Sequence, residues 1–390
     1  MKTEATRPDV QKVLDGLKPF QRDTVEYVFD RLYHDKESSR RFLVADEVGL
    51  GKTLVARGVI AKAIDDMWDR IDRIDIVYIC SNSDIARQNI NRLNITGQDD
   101  FTHASRLTLL PSTLSGFDHK LNFVSFTPGT SFDLKSSTGI QQERALLYHL
   151  LNKGWDIPFI PSCNILQCGV GDHVRWREMV KGYEPCLNLD TSIIEAYFAD
   201  LNLYIADEKQ QDVPDIRTRF LDLCERFGRT RKYFPPEDIR DRNKIIGELR
   251  AILAKTCLKK LEPDLVILDE FQRFKHLLTD DSDAGLLAQE LFNYSDEDTN
   301  VRTILLSATP YKMYTLYEES GEDDHYQDFL ATLEFLENNP HNTTRIKSLI
   351  EEYRREMYRF GNGGSDRLPM LKLELENALR RTMVRTERVT

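Results

Sequence analysis

Lys52 and Thr53 close the stretch FLVADEVGLGKTLVARG, residues 42–58, where a short apolar run meets a glycine-flanked turn and a helical pattern follows. Backbone N–H groups wrapped around Gly49, Leu50 and Gly51 would point at phosphate oxygens. The Lys52 ammonium would then reach the β and γ groups, and the Thr53 hydroxyl would ligate magnesium. The strict pattern G-x-x-x-x-G-K-[ST] fails at its first position, where Asp46 stands. A glycine turn capping a helix would explain the same residues, so partner groups must be sought elsewhere in the chain.

Two further groups follow apolar runs. LVILDEFQRF, residues 265–274, ends such a run in Asp269-Glu270. Asp269 would hold magnesium through its water shell, and Glu270 would orient and polarise an attacking water. Adjacent acids after a strand also serve as helix caps, and that reading stands beside the first. TILLSATPYKMY, residues 303–314, empties into Ser307-Ala308-Thr309-Pro310. Ser307 and Thr309 are not needed to bind a nucleotide, but they can hydrogen-bond Gln272 and pass the state of a γ-phosphate to another surface.

The elements that must carry these residues are legible as short, β-branched runs: FLVA from Phe42, IDIVYIC from Ile74, DLVILD from Asp264 and TILLSAT from Thr303. Runs apolar on both faces suit buried parallel strands. The periodic segment 53–71 is long enough for a crossover helix, so the rhythm predicts an α/β fold with an open, doubly wound, mostly parallel sheet. In such sheets ligands sit beyond the carboxyl ends of the strands, where all three polar signatures fall. Residues 17–33 read as a helix. Helices are also expected from Thr191, Asp215 and Pro236, whereas PSCNILQCGVGD from Pro161 reads as loop-like or extended. The expected organisation is an N-terminal helix over 1–40, sheet segments over 41–150 and 261–315, a helical insertion over 151–260, and a helical segment over 316–390.

Taken together, LKPFQ, ADEVGLGKT, LDEFQ and LSATP resemble the Q motif and motifs I, II and III of superfamily 2 helicases and translocases, most closely the Swi/Snf-like branch of this DEAD/DEAH-box type. That branch carries an acidic residue where Asp46 stands. The likeness covers mainly residues 17–90 and 260–315. It implies a RecA-like P-loop NTPase lobe that binds ATP and Mg2+. It also implies that Gln21 reads the adenine edge, that Lys52, Thr53, Asp269 and Glu270 handle phosphate, metal and water, and that Gln272, Ser307 and Thr309 couple hydrolysis to movement. Gln272 departs from the family, which often has His or Asp there, so the coupling is retuned or weakened. YICSNSDIARQNINRL, residues 78–93, is similar to motif Ia, with Ser81 and Asn82 near a nucleic-acid backbone; a helix cap at Ser83 or Asp84 is the other reading. Thr130, Ser131, Ser137 and Thr138 could contact the same backbone or line a solvated loop.

The arginines that such motors supply across a cleft belong to a second RecA-like lobe. Arg229 and Arg231 imitate them, but they precede the carboxylate strand and read as a basic helix end. LENALRRTMVRTERV, residues 375–389, resembles the basic segment closing the first lobe, so the chain is expected to stop at the hinge. The partners implied are duplex DNA in preference to other nucleic acid, a second lobe in cis or trans, and a protein docking on the helical insertion. The large insertion and the DEFQRF variant resemble bacterial helicase-like proteins of restriction and phage-defence systems. A non-motor nucleotide switch that docks a partner protein is the alternative.

Composition sets the outer bounds. The 390 residues are 41% apolar and 30% charged, as in ordinary globular proteins. No apolar run nears the roughly 20 residues that span a bilayer, and no membrane partner is expected. The net charge of −11 argues against a basic nucleic-acid coat but permits a local basic stripe. Six scattered cysteines without a second close pair predict reduced thiols in a cytoplasmic protein.

Overall fold

The computed structural model describes residues 7–36, 39–47, 49–93, 95, 101–103, 106–113, 119–134, 137–183, 189, 191–231, 233–278, 282–295, 300–307, 325–360 and 367–386. Seven strands form one sheet: β1 (Arg41–Val44), β2 (Ile74–Cys80), β3 (Phe101–His103), β4 (Leu121–Phe126), β5 (Leu265–Asp269), β6 (Arg302–Leu306) and β7 (Met383–Val384). Their spatial order is β3-β4-β2-β5-β6-β1-β7, and every described pairing is parallel. The four expected strands are present as β1, β2, β5 and β6. Their side chains are buried on both faces, as continuous apolar runs require.

Helices cover both faces. On one side lie α1 (Val10–Asp15), α2 (Pro19–Phe29), α3 (Lys52–Met67) and α4 (Ser83–Leu93), packed on alternate strand residues such as Phe42, Val44, Ile76, Tyr78 and Ile267. The α2 helix is prolonged by a wider turn over Asp30–His34. Two short turns, α5 (Leu110–Thr113) and α6 (Pro128–Ser131), precede the other layer. That layer comprises α7 (Gln141–Trp155), α8 (Phe159–Gln167), α9 (His173–Lys181), α10 (Thr191–Gln210), α11 (Ile216–Arg226), α12 (Pro236–Leu261) and α13 (Asp283–Phe292). Its apolar residues merge with Leu43, Val77, Ile79, Val266, Leu268 and Leu305 in one continuous cluster. The insertion is therefore a thick covering of one sheet face, and the expected boundary at 151 falls inside α7.

A buried ion pair pins this layer. Arg250 of α12 donates to Glu143 of α7 at 2.8 Å with both side chains 1% exposed. Thr108 Oγ1 and the Ile140 N–H also donate to that carboxylate, at 2.6 and 2.7 Å. Breaking such a pair typically costs about 3–5 kcal/mol, because the partner charge is left uncompensated. The last described helices, α14 (His325–Glu337), α15 (Pro340–Phe360) and α16 (Leu368–Arg380), form a smaller cluster beside β1. Arg41 anchors α14 to the sheet: it bonds Phe335 O at 2.5 Å and stacks 4.0 Å from the Phe335 ring.

Two expectations are corrected. Residues 161–167, read as loop or extended, belong to helix α8, because Pro161 sits in the first turn where no N–H is needed. Cys163, Ile165 and Leu166 are then buried. The C-terminal segment is not helical throughout: after α16 it forms β7, which adds to the edge left open by β1. Most of the acidic run 318–328 lies outside the described residues. No helix among the described residues is long and apolar enough to cross a membrane.

Candidate functional site

Register brings the chemistry to one edge. Cys80, Asp269, Leu306, Val44 and Val384 stand in a single cross-strand row. The residues that follow each of them therefore emerge side by side, and they include Ser81, Glu270, Ser307 and the glycine loop. Asp269 and Val44 are two strand spacings apart, ~10 Å, with the tip of β6 between them.

The glycine loop is shaped by backbone rather than by side chains. Gly49 and Gly51 have φ of 85° and 86°, a region that side-chain-bearing residues avoid. Gly51 also has no room for a Cβ, which would lie 2.5 Å from the Gln21 amide nitrogen. The loop delivers Lys52 and Thr53 as the first residues of α3, where N–H groups lack intrahelical partners and favour an anion. The Lys52 ammonium lies back across the loop, donating to the carbonyls of Asp46 at 2.9 Å and Glu47 at 3.3 Å. Burial holds its pKa below the ordinary lysine value, while the charges of Asp46, Asp269 and Glu270 raise it. Gln21 is buried against the loop: its amide donates to Leu50 O at 2.7 Å and its oxygen accepts the Lys18 N–H at 3.0 Å. The Gln21 side chain thus braces Leu50 and Gly51.

At the end of β5 the carboxylates are held by side chains from other elements. Tyr78 Oη donates to Asp269 Oδ2 at 2.6 Å, and Asn89 Nδ2 donates to both, at 3.1 Å to the carboxylate and 3.0 Å to the phenol. Asp269 is 6% exposed, and burial pushes its pKa above the ordinary carboxylate value against the bond from Tyr78. Glu270 has a positive φ of 53°, which costs a non-glycine residue about 1–2 kcal/mol. Ser81 Oγ donates to Glu270 Oε2 at 3.1 Å, and Arg273 Nε lies 3.4 Å from the same oxygen. Gln272 donates to Ser307 Oγ, the bond expected from the sequence. Ser307 is fully buried, and its N–H donates to Val44 O at 3.0 Å, joining the tips of β6 and β1. Thr309 lies outside the described residues.

The residues expected near a nucleic-acid backbone have partners within the chain. Half-buried Ser81 bonds Glu270. Asn82 Oδ1 accepts the N–H of Asp84 at 2.7 Å, so the cap of α4 falls one residue before the positions expected for it. Thr130 Oγ1 donates to Thr127 O at 3.3 Å, and Ser131, 5% exposed, accepts the Thr127 N–H at 3.0 Å. Both close the turn after β4, with Thr130 exposed. Ser137 and Thr138 lie in the turn before α7, and the Arg144 guanidinium binds Thr138 O at 3.2 Å. Arg229 and Arg231 are exposed beyond α11.

Tyr78 and Asn89 escaped the sequence reading. Both left a trace: Tyr78 is the hydroxyl in an otherwise apolar run, and Asn89 lies on the buried stripe of Ala86, Ile90 and Leu93. For magnesium, the donors fit in kind, since that ion keeps several waters and takes one or two carboxylates. Asp269 and Thr53 would hold it. No cluster of three or more His, Cys, Asp or Glu suited to a metal occurs among the described residues. No family model matches the chain, and no curated protein is detectably similar in sequence.

Proposed function

We propose that the chain is the ATP-binding, RecA-like lobe of a nucleic-acid motor, a helicase or DNA translocase of superfamily 2. The observation that carries this reading is the shared row of strand tips. It sets a glycine loop with Lys52, an Asp-Glu pair and a serine bonded to Gln272 beside one another on a parallel sheet. Lys52 leaves its two loop carbonyls to bind the β and γ phosphates of ATP, while N–H groups of the loop and the start of α3 wrap the chain of phosphates. Thr53 and Asp269 would hold magnesium, which would supply charge neutralisation to the phosphates. Glu270 takes a proton from the attacking water, with Ser81 and the positive φ of its own backbone fixing the carboxylate. Gln272 and Ser307 transmit the change to the neighbouring strand.

Full turnover requires arginines from a second RecA-like lobe, in cis or trans, an effect worth about 10³–10⁵ in other nucleotide hydrolases. ATPase assays with and without duplex DNA, single-stranded DNA and RNA, with that lobe supplied, test the proposal. Duplex DNA is expected to stimulate strongly, with stimulation falling steeply as salt rises. Nucleotide binding without a response to any nucleic acid would favour a switch module instead.

A further inference from the structure

Asp46 is fully buried, and among the described residues only its Oδ1 is hydrogen-bonded. Oδ1 accepts the Thr386 N–H at 2.8 Å, whereas Oδ2 has no partner among the described residues. Thr386 is held on its other side by the Glu47 N–H, which donates to Thr386 O at 3.3 Å. These bonds continue a ladder in which Leu43 and Ala45 donate to Thr382 O and Val384 O, each at 2.8 Å. The pairing of β7 with β1 therefore runs past the strand ends and into the glycine loop. The same two loop residues, Asp46 and Glu47, offer their carbonyls to Lys52. One ammonium thus supports the backbone that grips Thr386, and its charge also offsets that of the buried Asp46 carboxylate.

A phosphate in the loop draws that ammonium away. Asp46 then keeps its burial, loses its compensating charge and gains a second anion nearby. Uncompensated buried charge is costly, and the cost is relieved when the Asp46 carboxylate turns out toward water, which breaks its bond to the Thr386 N–H. We propose that bound phosphate and Asp46 compete for Lys52, so that filling the site releases residues 385–386 from the glycine loop. Asp46 is then a positioning residue that ties the C-terminal segment to the state of the site. The inference rests on the nucleotide reading above. Space exists for the movement: a cavity of about 650 Å³ runs along β7, lined by Tyr27, Leu43, Phe329, Leu379, Met383 and Val384.

Amide hydrogen exchange of the full chain over residues 383–386, with and without Mg2+ and a non-hydrolysable ATP analogue, tests it. Loss of one hydrogen bond is expected to speed exchange at Thr386 about five-fold on binding. Asp46→Ala is expected to exchange at the raised rate without nucleotide and to respond no further. Asp46→Asn keeps the oxygen acceptor and removes the charge, so Thr386 should stay protected and respond by less than about two-fold. If Asp46→Ala fails to fold, the wild type and Asp46→Asn decide between them. Calorimetry in parallel separates the failures. A wild-type chain that does not bind the analogue overturns the nucleotide reading and the release together. Binding with exchange unchanged or slowed overturns the release alone, as does an Asp46→Asn variant that responds as fully as the wild type.

Discussion

The tips of β5 and β1 face each other across β6, yet they are built by different means. Asp269 and Glu270 are gripped by side chains from two other elements: Tyr78 on β2, Asn89 on α4, and Ser81 between them. The glycine loop is held by side chains on its backbone carbonyls, Gln21 on Leu50 and Lys52 on Asp46 and Glu47. Among the described residues Asp46 is bonded through one oxygen. Side chains locked by packing and mutual hydrogen bonds fix geometry before a ligand arrives. A loop whose cation is engaged with nearby carbonyls can exchange those partners for phosphate. On the proposed reading, the metal and water end of the site is thus prepared in advance, and the phosphate end is adjustable.

The comparison can be broken most severely at Glu270. With the second lobe supplied, Glu270→Gln is expected to lower ATP hydrolysis by about 10²–10⁴-fold, the usual range for a general base. Analogue affinity measured by calorimetry should change far less. Next in size is the brace: Tyr78→Phe leaves the ring packed but removes the donor to Asp269. Partners of that kind are worth about 10–100-fold in metal affinity, so Mg2+ titration at fixed nucleotide should show a weaker metal response. If the Mg2+ dependence is untouched, the brace is only structural. Gln272→Ala removes the bond to Ser307 and is expected to cut nucleic-acid stimulation about five-fold, the worth of one hydrogen bond, in the same ATPase assay.

The smallest effect concerns stability. Because the folded-state pKa of Asp269 is raised, the group favours the folded state most when protonated, and that contribution is lost as pH rises from its ordinary value through the folded one. Asp269→Asn should therefore be more stable than the wild type at neutral pH, with the gain shrinking as pH falls toward the ordinary carboxylate value. Urea unfolding at a series of pH values reads this directly.

How much of this was legible depends on where the signal lay along the chain. Strands β1, β2, β5 and β6 are continuous apolar runs and could be recognised singly. LNFVSF of β4 was passed over because its residues lead straight into the polar stretch after Phe126, and β3 and β7 are too short to carry a pattern of their own. The motif residues Lys52, Asp269 and Gln272 could be found because each motif is local. The brace could not, since Tyr78, Asn89 and Asp269 meet only through the register of β2 with β5 and the packing of α4. Ser81 shows the same limit: its bond to Glu270 follows from the pairing of Cys80 with Asp269, which no local motif shows. Proline misled at α8, because its position in the first turn could not be known before the helix start was.

The central claim is that these strand tips form a triphosphate site with Lys52 at its centre. Calorimetric titration of the full chain with a non-hydrolysable ATP analogue, with and without Mg2+, tests it most directly when repeated on Lys52→Ala. Metal-dependent binding is expected in the wild type, weakened about 10–100-fold when a charge-assisted contact of this kind is removed. A chain that binds no analogue, or one that binds equally well without the Lys52 ammonium, would contradict the account.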